Sequence, residues 1–167
     1  MTGGRLGDAL IRQVRKDDLD SCYEVESRCY TLEGATKERI AKRIELFPQG
    51  FLVAEINGRI VGMVNSGSTD KDSIADEELK DMVGHNPDGR NIIVFSLAVL
   101  PEFQKKSISK ILMTEFIVTS RELRKDKILL ICRESLIEYY HNFGFVYAGK
   151  SSSKHGGFDW HEMRLQL

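Results

Sequence analysis

Apolar and polar positions alternate, then shift to a helical period, several times along the chain. Leu10–Val14 reads as a short strand. From Asp17 or Asp18 to about Arg28, Leu19, Cys22, Tyr23 and Glu26 recur at three-to-four spacing, which predicts a helix. Thr36 is placed to cap a second helix, about Lys37 to Phe47, ended near Pro48. Phe51–Ile56 and Arg59–Asn65 read as strands around Asn57-Gly58, a strong hairpin signal. Asp70–Asp81 is acidic and predicts a short helix, and His85–Arg90 a turn. Ile92–Leu100 reads as a strand, Ser107–Leu123 as a helix and Lys127–Cys132 as a strand. Leu136–Asn142 reads as a brief helix, and Phe145–Lys150 and Trp160–Leu167 as the last strands. Hairpins combined with strand–helix–strand crossovers imply an α/β fold with a mixed sheet and helices on both faces.

One junction carries chemistry. The apolar run ending at Pro101 passes through Gln104-Lys105-Lys106-Ser107-Ile108-Ser109 directly into a helix. A strand feeding a helix through such a turn aims several backbone N–H groups at one point, and the helix dipole adds positive charge there. The turn is therefore a seat for a phosphate. Lys105, Lys106 and Lys110 cluster around it.

These residues resemble the acyl-CoA-binding motif of the GNAT superfamily of N-acetyltransferases, Gln/Arg-x-x-Gly-x-Gly/Ala at the start of the helix after the central strand. Gln104 matches, whereas Ser107 and Ser109 stand at the two small positions. A second block, Ile131–Phe145, is also similar: Tyr140 lies four residues before Gly144-Phe145. The texts SLAVLPEFQKK and CRESLIEYYHNFGF and the Trp160–Met163 ending look most like the arylalkylamine N-acetyltransferase branch. Positions equivalent to that branch's two strand histidines are Ile93 and Phe95, so its base is missing here.

The length reads as a single domain over residues 1–167, with 1–9 a loose N-terminal segment. The resemblance covers about Asp17 to Leu167 and implies a GNAT-like sheet of about six to seven strands. It implies acetyl-CoA as the cofactor, transfer to a primary amine of a small molecule in a ternary complex, and no metal. The cofactor would be held by Leu97, Ala98, Val99, Gln104, Lys105, Lys106, Ser107, Ile108, Ser109, Lys110 and Phe143. Tyr140 would protonate the departing thiolate, and Tyr139 ranks well below it. Glu26 leads as proton acceptor, with His161 and Glu134 as rivals, and Cys29, Tyr30, Leu32 and His161 would help line the acceptor site. Two alternatives stay open: an acyl-CoA-binding protein without turnover, and a peptide or protein acetylase.

Composition narrows the partners. The 167 residues are 41% hydrophobic, enough for one core, and the net charge of −1 does not suggest a nucleic-acid binder. No apolar run spans a membrane. Three cysteines without a CxxC pair, Cys22, Cys29 and Cys132, fit free thiols in a cytoplasmic protein. The acidic run Asp70–Asp81 admits two readings: a solvated helix face, or a field in which Asp76, Glu77 and Glu78 draw a cationic amine towards the cleft. A homodimer is compatible with an apolar final strand.

Overall fold

The computed structural model describes residues 4–6, 9–72 and 77–167. In chain order its elements are β1 (Gly4–Leu6), β2 (Ala9–Gln13), α1 (Leu19–Cys29), α2 (Lys37–Leu46), β3 (Leu52–Ile56), β4 (Arg59–Thr69) and β5 (Asn91–Val99). There follow α3 (Ile108–Glu122), β6 (Lys127–Cys132), α4 (Ile137–His141), β7 (Val146–Lys150) and β8 (His161–Gln166). Among the described residues the sheet has eight strands in the order β1-β2-β3-β4-β5-β6-β8-β7, seven longer strands and the three-residue β1. The expected mixed α/β architecture is present. Two corrections follow. Of the segment 1–9 expected to be loose, residues 4–6 and Ala9 belong to strands, with Gly4 opposite Ile11, and the others lie outside the described residues. The final strand β8 is internal, between β6 and β7, so the edge on that side of the sheet is β7, which exposes Val146 and Tyr147.

Local chemistry accounts for the elements. Thr36 Oγ1 accepts from the Arg39 amide at 3.2 Å and starts α2. The β3–β4 hairpin turns on Asn57 (φ 50°) and Gly58 (φ 80°); two successive positive φ values match the right-handed twist of the strands. Along α3, Ile108, Leu112, Met113, Phe116 and Ile117 form the buried stripe. Fully burying each such side chain stabilises the fold by about 1.5–3 kcal/mol.

α1 packs against α2 and against β4 and β5, while α3 covers β2 to β5. The two sets lie on opposite faces. Ser96 Oγ reaches Glu26 on α1, whereas a Cβ on Gly62 would meet Val99 and Leu112 of α3. Ser96 and Val99 are three apart on one strand and so point oppositely. Cys22 and Cys132 are buried free thiols, raised by burial to about 12 and about 11.

Candidate active site

β5 and β6 pair in parallel only from Asn91–Ile93 to Lys127–Leu129. Beyond that the strands continue to Val99 and Cys132 but no longer pair. A bulge promotes the parting: Asn65 faces Ser96 and Ser66 faces Val94, leaving Phe95 as an extra residue. The gap holds a cavity of about 130 Å³, walled by Ile93–Leu97 and Leu130–Arg133.

The free edge of β5 has defined polarity. The Leu97 carbonyl accepts from Tyr30 Oη at 2.7 Å, and the Val99 carbonyl accepts from Cys29 Sγ at 3.1 Å and Gln104 Nε2 at 3.0 Å. These carbonyls therefore point away from β4. In a strand the N–H and C=O of one residue face the same neighbour, so the amides of Leu97 and Val99 face the gap too.

At the end of β5 the chain makes a 3-10 turn, Pro101–Phe103, and then the turn that opens α3. Ser107, the residue before the helix, is left-handed (φ 63°, ψ 16°), a conformation that favours glycine. Its hydroxyl makes no capping bond. Lys105, Lys106 and Lys110 are exposed around this turn. Ser109 Oγ shares a 2.7 Å hydrogen bond with Tyr139 Oη, tying α4 to the first turn of α3.

Neighbouring tyrosines on α4 thus face different surroundings. Tyr139 touches α3 and packs edge-on against Phe143. Tyr140 is 7% exposed and lines the cavity. Burial, and then the neighbouring Tyr30, pushes its phenol well above the ordinary value. Phe143 is half-buried against Tyr139 and does not line the cavity.

Glu26 sits across the cavity from α4. It is 3% exposed, and its carboxylate accepts from the Ala35 amide at 2.8 Å and from Ser96 Oγ at 2.6 Å. Arg43, from α2, is also in the wall. Burial lowers its guanidinium to about 10, with Glu26 pulling the other way. The roof comes from the β7–β8 loop. His155 Nε2 donates to the Glu33 carbonyl at 2.7 Å, Ser153 Oγ donates to Glu77 at 3.0 Å, and Trp160 Nε1 donates to the His155 carbonyl at 2.8 Å.

The sequence-predicted residues therefore divide. Tyr140, Glu26, Tyr30 and Leu97 meet in one cavity. Cys29 does not line it; its thiol donates to Val99. His161 and Glu134 line an outer groove with Lys150 and Asp159, and His161 Nδ1 bonds Tyr147 Oη at 2.9 Å. The reason is strand order, which puts β6 between β8 and β5. The acidic run is not a bare negative patch. Asp70 accepts from the Arg90 amide, Asp72 pairs with Lys127, Glu77 with Lys80 and Asp81 with Arg39, while Asp76 lies outside the described residues. Sequence reasoning missed Arg43. The available signal was a cation on the apolar stripe Ile40, Arg43, Ile44, Phe47.

Comparison with known proteins agrees with this fold. The model of the acetyltransferase (GNAT) family matches residues 19–145, and the chain belongs to that family. An uncharacterized N-acetyltransferase of Bacillus subtilis, YkwB, is 28% identical over 137 residues, covering 74% of this chain and 59% of that protein. A probable hydrolase of the same organism, YhcX, is 27% identical over 59% of this chain but only 21% of its own length. Serotonin N-acetyltransferase of Mesocricetus auratus is 23% identical over 94% of this chain and 77% of its own, a weak likeness to the arylalkylamine branch. Among solved structures, the loading GNATL domain of CurA from Lyngbya majuscula superposes with a TM-score of 0.84 at 16% identity, covering 96% of this chain and 98% of that one. The putative acetyltransferase yncA from Salmonella typhimurium, solved with acetyl-CoA, gives 0.67 at 19% identity over 96% and 95%. Among the described residues, no helix is long and apolar enough to cross a membrane.

Proposed function

We propose that this chain is an acetyl-CoA-dependent N-acetyltransferase acting on a primary amine of a small molecule. The observation that carries the reading is the parted β5–β6 edge, which puts free backbone amides, Tyr140 and Glu26 around one cavity.

The residues present fit coenzyme A. The amides opening α3, with Lys105, Lys106 and Lys110, suit its diphosphate, and the free edge of β5 suits its amide-bearing pantetheine arm as an added strand would. Bound acetyl-CoA supplies an activated acyl group and a thiol leaving group. The chain's own groups do the rest. Glu26 takes the proton that the attacking amine must lose as the N–C bond forms. The Leu97 amide donates to the carbonyl oxygen as negative charge builds there. Tyr140 gives its proton to the sulfur as the C–S bond breaks, and regains one from solvent. Its raised value keeps that proton in place throughout the neutral range.

The test is thiol release from acetyl-CoA by the purified protein across small amines and short peptides. Release with small amines is expected. Tight coenzyme A binding by calorimetry without release would make the chain a binding protein, and release with polypeptides alone would make it a protein acetylase. No binding at millimolar coenzyme A would remove all three readings.

A further inference from the structure

The cavity wall contains a cation with no carboxylate of its own. Arg43 is 3% exposed. Its Nη1 donates to Asn65 Oδ1 at 3.1 Å and its Nη2 to the Lys80 carbonyl at 3.2 Å, both neutral acceptors. Its Nε donates to nothing among the described residues. The guanidinium lies 4.5 Å from the centroid of the Phe95 ring, which provides a flat surface but no counter-charge. Glycine at position 67 makes that stack possible, because a Cβ there would stand 2.7 Å from the ring.

The other cations of the wall are already engaged. Arg39 pairs with Asp81 at 2.7 Å, Lys80 pairs with Glu77 at 3.1 Å, and Arg133 lies 3.8 Å over the Phe158 ring. Glu26 and Asp81 are the nearby anions, yet the Glu26 oxygens accept from Ala35 and Ser96, and Asp81 is paired with Arg39. A buried guanidinium facing neutral acceptors, with one N–H unmet, is unfavourable unless an anion completes it. A carboxylate matches the fork of its donors.

We infer that the cavity takes a substrate bearing a carboxylate, which seats against Arg43. This inference rests on the proposed acyl-transfer reading of the same cavity. An amine at Glu26 with a carboxylate at Arg43 describes a zwitterion, an amino acid or a short ω-amino acid. The same carboxylate chemistry arises if the acyl chain of the thioester ends in one, and the experiment separates the two sources.

Wild-type protein is assayed with acetyl-CoA and acceptors matched in chain length: ω-amino carboxylic acids, their methyl esters and the corresponding alkylamines. In a second arm, acetyl-CoA is compared with succinyl-CoA on an alkylamine. A preference for the free carboxylate of about 10- to 100-fold in kcat/KM is expected, the range for a hydrogen bond to a charged group. It assigns the carboxylate to the acceptor in the first arm and to the acyl chain in the second. Equal rates in both arms overturn the inference while leaving acyl transfer intact. If no amine releases thiol, the functional reading fails first. Calorimetry of ω-amino acids against their methyl esters, and of succinyl-CoA against acetyl-CoA, then decides: indifference to the carboxylate overturns the inference. Arg43→Gln and Arg43→Lys are predicted to lose the discrimination, with thermal melts to check folding. Retained discrimination in a folded Arg43→Gln protein would exclude the guanidinium as the seat.

Discussion

Tyr139 and Tyr140 adjoin in sequence, yet their hydroxyls have separate surroundings. Tyr140→Phe leaves the cavity shape nearly unchanged and removes one O–H, so kcat is predicted to fall by at least tenfold with little change in Tm. Tyr139→Phe removes the bond to Ser109 and is predicted to raise KM for acetyl-CoA a few-fold at unchanged kcat. Steady-state kinetics on both variants checks the division, and the reverse pattern would transfer the acid role to Tyr139. Ser107 offers a second test. A non-glycine residue held at φ 63° carries strain on the order of 1 kcal/mol. Since its hydroxyl makes no cap, Ser107→Gly releases that strain and loses no described bond, against a gain in unfolded-chain entropy. Thermal unfolding should show a Tm unchanged or raised by a few degrees, and coenzyme A affinity should not fall.

Between elements, the join of β2 to α1 depends on charge. Arg12 donates to both oxygens of Asp18, at 2.8 and 3.1 Å, and to Glu55 at 3.1 Å, while the Arg15 amide donates to Asp18 at 2.7 Å. Burial acts to raise the Asp18 carboxyl, but the Arg12 and Arg15 hydrogen bonds outweigh it and the net shift is downward. A depressed folded value means that this stabilisation is complete above the unfolded value, near pH 4, and lost as pH falls through the folded one. Asp18→Asn should cost about 1–3 kcal/mol at pH 7. The gap from wild type should narrow in chemical denaturation at pH 3, and a constant gap would exclude the linkage.

The element order was legible in sequence because the 2.0 and 3.6 periods are strong, and the Asn57-Gly58 turn is nearly diagnostic. The upper half of β4 was not legible. Ser66, Ser68 and Thr69 look like loop residues, yet they are buried, with Ser66 bonded to Gly50 and Ser68 to Gly89 and to Lys125. Long-range acceptors supplied by other segments do not show in local pattern. β1 was too short to stand out. At the site, Tyr140 and Glu26 could be named from motif and helix face, whereas Arg43 reads as an ordinary helix cation until α2 is docked on Phe95.

Over the whole molecule, the cavity is enclosed by parts distant in sequence: α1, α2, both central strands and the β7–β8 loop. Trp160, the one tryptophan of the chain, lines it. Its emission is therefore predicted to change in intensity or position when an acceptor enters, and a spectrum unaltered at saturating acceptor would place binding elsewhere.

The parting of β5 from β6 has a mechanical consequence. Three rungs join the parallel strands at the sheet's centre, so β6, β7 and β8 resemble a page attached along a short spine. Such a page should flutter when nothing bridges it. Deuterium uptake in β6 should accordingly slow when coenzyme A is added, whereas β2 and β3, far from the spine, should exchange at an unaltered pace.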